Sequence, residues 1–363
     1  MNDNTFVVIM AGGVGSRFWP YSRTRHPKQF LDILGTGKTL IQHTFDRFRP
    51  LCPPENILIV SSENYKEQII NQIHDIKPDQ ILLEPLRKNT APCIAYANQR
   101  IRRVNPDANI VVAPSDHLID NESEFIQIIR QGLDFVRNRD VLLTLGIIPS
   151  RPETGYGYIQ VNGTQDIEGI AGLRRVKTFT EKPNLELARV FLESGDFYWN
   201  SGIFIWSLRA IDHAMSRHLP DIQGLFNDGN SFYGTSEEPA FIRGVYDACD
   251  RISIDIGIME KADNVFVQCA DFGWSDLGTW GSLYEHVPLD ESANAVGKSL
   301  VLPFGADRNM VRIPEGKLAV IQGLSDYIIV DTDDVLLICR KEDEQEIRKM
   351  VDEVKIRLGQ KYI

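Results

Sequence analysis

The sequence predicts an α/β fold built on a doubly wound, mostly parallel sheet, followed by a small β-rich domain that closes with a helix. Three observations predict it. Short apolar runs recur through the first half at residues 6–10, 57–60, 81–83, 110–113 and 141–145, apolar without strict alternation, as suits strands covered on both faces. Amphipathic helical patterns separate them. From about residue 292 the pattern becomes a series of short strands with one amphipathic helix at the end.

Between the first two strands, Leu40, Ile41, Thr44, Phe45 and Phe48 fall on one side of a helix, as do Ile94, Ala97, Ile101 and Val104 further on. After residue 150 the pattern changes: the runs 156–161, 176–180, 202–206 and 265–268 read as strands with longer insertions, an elaboration that covers the same cleft. The tail reads as strands at 299–302, 310–313, 318–321, 327–330 and 335–339. A helix from 343 to 358 follows, amphipathic through Ile347, Met350, Val351, Val354 and Leu358. The expected division is a main domain over 1–288 and a small domain over 289–363, which carries no cluster of reactive residues. No long internal repeat or low-complexity segment is present. In a doubly wound sheet ligands bind beyond the carboxyl ends of the strands, so the residues just after each run are where chemistry is expected.

Composition narrows the partners. Asp plus Glu number 50 against 39 Lys plus Arg, a net charge of -11. Such a field repels nucleic-acid backbones and no long basic run offsets it, so no nucleic-acid partner is expected. A small phosphorylated substrate stays open, since a few cations in one cleft overcome an unfavourable global field. Cys52, Cys93, Cys249, Cys269 and Cys339 show no C-x-x-C spacing and are expected to be buried free thiols. No apolar run reaches the roughly 18 residues that span a bilayer, and the N-terminus lacks a leader pattern. A cytoplasmic protein with no membrane contact is the expectation.

The first strand runs into Ala11-Gly12-Gly13-Val14-Gly15-Ser16-Arg17, with Pro27-Lys28 shortly after. Glycines allow a tight turn and let backbone amides approach phosphate oxygens, and Arg17 and Lys28 supply positive charge. Plain turn geometry is the competing reading. The dinucleotide fingerprint fails because Phe18 stands where its third glycine belongs, and the Walker pattern at Gly37-Lys38-Thr39 fails because its first glycine falls on Asp32. A Gly-Gly-x-Gly-x-Arg turn followed by Pro-Lys resembles the signature of sugar-phosphate nucleotidyltransferases.

Two carboxylates stand in similar loops. The strand at 110–113 leads to Pro114-Ser115-Asp116-His117, and far along the chain Gly273-Trp274-Ser275-Asp276-Leu277-Gly278 follows another strand. Mg²⁺ prefers one or two carboxylates plus phosphate oxygens, a role open to Asp116 and Asp276. Helix or turn capping is the alternative for each. His117 reads as a structural hydrogen-bonding residue, because Mg²⁺ disfavours imidazole.

Taken in order, residues 11–30, 84–97, 112–117, 153–159, 179–183, 198–206, 253–261, 273–280 and 330–335 resemble bacterial mannose-1-phosphate guanylyltransferases over nearly the whole chain. Ser16 and Phe18 depart mildly, standing where threonine and leucine are common. The resemblance implies transfer of GMP from GTP to mannose 1-phosphate, giving GDP-mannose and pyrophosphate with Mg²⁺ or another divalent metal. It implies a nucleotide site of Ala11, Gly12, Gly13, Gly15, Ser16, Arg17, Lys28, Glu84, Asn89, Thr90, Ser115 and Asp116. Glu84 is the candidate for purine choice, and Thr90 is expected to cap a helix. The implied sugar-phosphate site comprises Gly157, Glu181, Lys182 and Asn200, the implied metal ligands are Asp116 and Asp276, and the implied catalytic set is Arg17, Lys28, Lys182, Asp116 and Asp276.

Asp255 is read as a helix cap, and Trp199 and Trp206 as core. No isomerase-length domain follows, so the two-function members are not the expected type. The alternatives are a UTP- or dTTP-using enzyme acting on glucose 1-phosphate, a non-catalytic sugar-nucleotide-binding regulator, and an NAD oxidoreductase that the missing glycine disfavours. The short, exposed tail strands suit a homodimer.

Overall fold

Nine strands form one mixed sheet in the computed structural model, which describes residues 4–163 and 165–363. They are β1 (Thr5–Met10), β2 (Ile57–Ser62), β3 (Ile81–Glu84), β4 (Asn109–Pro114), β5 (Leu142–Ile147), β6 (Tyr158–Val161), β7 (Leu173–Thr180), β8 (Phe197–Ser207) and β9 (Val265–Ala270). Their spatial order is β3-β2-β1-β4-β8-β5-β9-β7-β6. The runs of the first half pair in parallel: β1 with β2 and β4, and β2 with β3. β5 and β9 are parallel too. The sheet becomes mixed because β8 lies antiparallel between β4 and β5, and β6 and β7 add an antiparallel edge. Over Ile203–Trp206 β8 is buried on both faces, which explains why its sequence resembles a central parallel strand.

The chain forms two compact units. The first comprises the chain through Gly12, Thr44–Ser115 and Ile119–Trp274; the second comprises Gly13–His43, Asp116–Leu118 and Ser275–Ile363. The second unit therefore takes in more than the tail, because the glycine turn from Gly13 onward and Asp116 belong to it.

Helix α1 (Leu40–Phe48) buries all five residues of its expected face. In the first unit, α2 (Thr90–Val104) buries Ile94, Ala97 and Ile101, whereas Val104 is exposed because it ends the helix. Its cap is Asn89 rather than Thr90: the Asn89 side chain accepts from the Thr90 amide. α3 (Glu122–Val136) is capped by Asn121 and buries Phe125, Ile129 and Leu133. Trp199 and Trp206 are core, as expected.

In the second unit, β10 (Leu300–Phe304) pairs in parallel with β12 (Leu318–Gln322), and β11 (Met310–Arg312) with β13 (Tyr327–Asp331), while β14 (Leu336–Arg340) runs antiparallel to β13. Leu300 faces Leu318 and Met310 faces Ile328, so the chain advances the same 18 residues in each coil. This short repeat is invisible in the sequence because any strand-forming residue serves at its positions. The closing helix α4 (Ile347–Leu358) buries Ile347 and Val351 beside Phe18, Trp19 and Trp280; Leu358 is exposed near its end. Four cysteines are buried, Cys269 is half-buried, and all five are free thiols. No helix among the described residues is long and apolar enough to cross a membrane.

Candidate active site

The glycine turn belongs to the second unit and is built around Lys28. Gly15 has φ 71°, and a Cβ on it would lie 2.5 Å from Lys28 Cβ, so both backbone angle and space demand glycine there. The turn closes through Phe18 N–H to Gly15 O at 3.0 Å and Lys28 N–H to Val14 O at 3.1 Å. Nothing lies within 4 Å of a Cβ placed on Gly13, which leaves that stretch open to a ligand. Phe18 is fully buried against Trp280, with ring centroids 4.9 Å apart. The position that breaks the dinucleotide fingerprint is thus a core residue of this unit.

Lys28 is 3% exposed, and its ammonium donates to Asp116 Oδ2 at 2.8 Å, Asp276 O at 2.7 Å and Leu277 O at 3.0 Å. These three acceptors take all the protons an ammonium has. Lys28 is therefore a keystone joining the two carboxylate loops. Leu277 adopts φ 42°, uncommon for a branched side chain, while its side chain is fully buried. That conformation accompanies two successive carbonyls turned toward one cation.

Arg17, Asp116 and Asp276 line one crevice of about 330 Å³ with Lys28, His117 and Arg348. Burial pushes the Asp116 carboxyl up, but Lys28, with His117 beside it, outweighs that and holds it below the usual carboxylate range. Asp116 is anionic at neutral pH. Asp276 Oδ1 accepts from Gly278 N–H at 2.8 Å, the turn-capping arrangement of an Asp before glycine, with its side chain also on the crevice. Two carboxylates fit a hard cation that keeps phosphate oxygens in its shell. They would not make a structural cage, and no cluster of three or more His, Cys, Asp or Glu suited to a metal occurs among the described residues.

The other expected nucleotide residues lie in the first unit. Ala11 and Ser115 are buried and their backbones are committed: Ala11 N–H donates to Val60 O, Ser61 Oγ donates to Ala11 O, Ser115 N–H donates to Met10 O, and Ser115 O accepts from Thr44 Oγ1. Glu84 ends β3 and is 7% exposed; its Oε1 accepts from Tyr246 Oη at 2.9 Å, and its Oε2 lies 3.4 Å from where a Cβ on Gly12 would sit. Burial raises the Glu84 carboxyl to about 7, against the Tyr246 hydrogen bond and the charge of Arg87. Asn89 holds φ 73°, and Thr90 Oγ1 accepts from Ile254 N–H at 2.8 Å.

Also in the first unit, Gly157, Glu181, Lys182 and Asn200 come together. Asn200 N–H donates to Gly157 O at 2.8 Å, a Cβ on Gly157 would lie 2.7 Å from Glu181 Oε2, and Lys182 pairs with Glu181. Asp255 joins this group and is not a cap: its Oδ1 accepts from Asn200 Nδ2 at 2.7 Å, while Asn200 Oδ1 accepts from Gly202 N–H. Burial raises the Asp255 carboxyl, the Asn200 hydrogen bond opposes the rise and Glu181 adds to it. Sequence reasoning assigned no site role to Asp255, Tyr246 or Arg348. Asp255 stood in a family-like segment that offered a signal; Tyr246 and Arg348 had none.

Comparison with known proteins gives the family. A sequence model described as nucleotidyl transferase matches residues 6–293, and one described as the mannose-phosphate isomerase/GMP-like β-helix domain matches residues 304–354. The chain belongs to the nucleotidyl transferase family. Within it, the full-length likeness is to proteins named mannose-1-phosphate guanylyltransferase. Mannose-1-phosphate guanylyltransferase 2 of Escherichia coli O157:H7 is 34% identical over 376 residues, covering 100% of this chain and 76% of that one. The enzyme of that name from Salmonella montevideo is 35% identical over 374 residues, covering 98% and 75%. Among solved structures, one described as mannose-1-phosphate geranyltransferase from Thermus thermophilus superposes with a TM-score of 0.84 at 28% identity, covering 97% of this chain and 99% of that one.

Proposed function

We propose that this chain is a cytoplasmic mannose-1-phosphate guanylyltransferase: it transfers GMP from GTP to mannose 1-phosphate, releasing pyrophosphate and GDP-mannose. The observation that carries the reading is one crevice in which two carboxylates and the cations Arg17 and Lys28 meet beneath a glycine turn, on a chain whose full-length relatives bear that name. A phosphate oxygen of mannose 1-phosphate attacks the α-phosphorus of GTP, and the bond to the β-phosphate oxygen breaks. The attacking oxygen is already anionic, so no general base is needed, and the protein contributes position and charge. Arg17 and the amides of the glycine turn bind the triphosphate, Lys28 keeps Asp116 and the 276–277 carbonyls in place, and Lys182 with Glu181 and Asn200 orients the sugar phosphate. Asp116 and Asp276 would hold Mg²⁺, whose chemistry there is neutralisation of phosphate charge. Domains over 1–288 and 289–363 and a homodimer complete the reading.

Glu84 is proposed to select guanine through a carboxylate oxygen accepting from the base. Glu84→Gln is expected to raise the melting temperature at pH 8 and leave it unchanged at pH 4, while weakening GTP binding. The folded carboxyl titrates near 7 against an ordinary 4.5, so between those values the folded state holds more protons than the unfolded. Stability therefore falls as pH rises through that window, by about 3 kcal/mol in all. The amide keeps an acceptor for Tyr246 and removes the titration. Parallel melting curves across pH for the two proteins would refute the buried-carboxyl account.

The function itself is tested by pyrophosphate release with mannose 1-phosphate across the four nucleoside triphosphates, with and without Mg²⁺. GTP in the presence of Mg²⁺ is expected to be preferred. Equal or greater release with UTP or dTTP would reassign the nucleotide, and silence with all four in a folded sample would favour a regulator.

A further inference from the structure

The crevice of the second unit has a charge balance that its sequence motifs do not explain. Lys28 is neutralised by Asp116 and two carbonyls, leaving no donor for a ligand. Two guanidiniums also line the crevice, Arg17 from the glycine turn and Arg348 from α4. Neither forms a hydrogen bond or an ion pair among the described residues. Two other cations of the same helix are paired, Lys349 with Glu346 and Arg357 with Glu353, but neither lines the crevice.

Arg348 is held where it stands. The flanking Ile347 is fully buried and Val351, one turn on, nearly so, in the cluster that contains Phe18 and Trp280. The segment before the helix is fixed by Glu344 Oε2 accepting from Gly281 N–H at 2.7 Å, and the chain after it by Trp19 Nε1 donating to Tyr362 O at 2.7 Å. An unpaired guanidinium on a concave polar surface is a receptor for oxyanions, able to give two parallel hydrogen bonds to one phosphate. On a chain of net charge -11, a polyanion can be held only where such local cations gather.

We propose that Arg348 binds the β- and γ-phosphates of the nucleoside triphosphate, and the pyrophosphate they become, as the partner of Arg17. The closing helix thereby contributes a ligand-binding residue to the crevice. This deepens the functional reading above and rests on it for the identity of the polyphosphate.

The test is calorimetric titration of inorganic pyrophosphate, with Mg²⁺ present, into the full chain and its Arg348→Ala, Arg348→Lys and Arg357→Ala variants, with turnover of GTP measured alongside. Loss of a charge-assisted contact predicts binding at least tenfold weaker in Arg348→Ala, an intermediate value in Arg348→Lys and the wild-type value in Arg357→Ala. The KM for GTP should rise while that for mannose 1-phosphate holds, which a merely structural role would not produce. Because Arg348 is exposed, melting temperatures should match the wild type, and Arg348→Lys keeps the test open should alanine perturb the helix. Unchanged pyrophosphate affinity in Arg348→Ala, with normal wild-type turnover, overturns the inference and leaves the functional reading standing. Affinity lost in Arg348→Ala, with no wild-type turnover on any nucleotide, does the reverse. A folded wild type that binds no pyrophosphate overturns both.

Discussion

Lys28→Met is expected to lower both stability and turnover, the former by about 2–3 kcal/mol and the latter by at least two orders of magnitude. The substitution keeps the apolar stem and removes the ammonium, so Asp116 Oδ2 and the carbonyls of Asp276 and Leu277 lose their common partner. Removing one member of a buried pair costs roughly 3–5 kcal/mol, and the lower figure applies here because the Asp116 side chain is 28% exposed and water recovers part of the loss. The turnover loss has the size seen when one preorganised electrostatic group is removed.

The pH dependence separates this account from a packing effect. Asp116 is held below its ordinary 3.8 by Lys28 against the pull of burial, so the pair's stabilisation is fully present above that value and is lost as pH falls through the lower folded one. Urea unfolding of the two proteins should differ most near pH 7 and converge in strong acid. With Lys28 gone, burial alone acts on Asp116, and the acid limb of the turnover profile should move to higher pH. A stability difference independent of pH would assign Lys28 to packing and remove it as keystone.

This keystone also explains what the sequence could and could not disclose. The glycine turn, Lys28, Asp116 and Asp276 were legible because each is a residue type whose chemistry or backbone freedom is tied to its own position: Gly15 must hold φ 71°, and a carboxylate after a strand end faces the ligand side of a sheet. What Lys28 binds was not legible, since two of its three acceptors are backbone carbonyls, which every residue carries. Direct contact of Lys28 with phosphate was the natural expectation; the structure gives the ammonium other partners. Phe18 was read as an absent glycine and as a mild departure from leucine, not as a core residue, because burial against Trp280, more than 250 positions on, leaves no local trace. Arg348 was one cation among several on an amphipathic helix until Ile347 and Val351 fixed which side it presents. Glu84 was placed as a nucleotide residue, but its burial and its bond to Tyr246 arise from packing that no motif encodes.

The fold shows the same division. Strands were found from their apolar runs, but the antiparallel direction of β8 was not, because burial on both faces, not strand direction, sets that pattern. The 18-residue coil of the tail went unseen for a related reason: its pairing is made by backbone groups, and apolar alternation there is satisfied by many residues.

Asp276→Asn should reduce turnover by about 10²–10³-fold while leaving stability within about 0.5 kcal/mol of the wild type. The Asp276 side chain does two separable things. Its Oδ1 accepts from Gly278 N–H at 2.8 Å, which shapes the turn, and an asparagine oxygen takes that proton equally well. Its charge faces the crevice, and the amide removes it. The turn leaves no room for a side chain at Gly278, where a Cβ would meet Asp276 Oδ2 at 2.5 Å. The backbone carbonyls of Asp276 and Leu277 remain in place for Lys28, so the keystone is preserved and the variant reports on charge alone. If the charge serves to hold a divalent cation against phosphate, half-saturation with Mg²⁺ should move to higher concentration together with the fall in turnover. Wild-type turnover in a folded Asp276→Asn protein would reduce this carboxylate to a turn cap and leave Asp116 the only acidic side chain acting in the crevice.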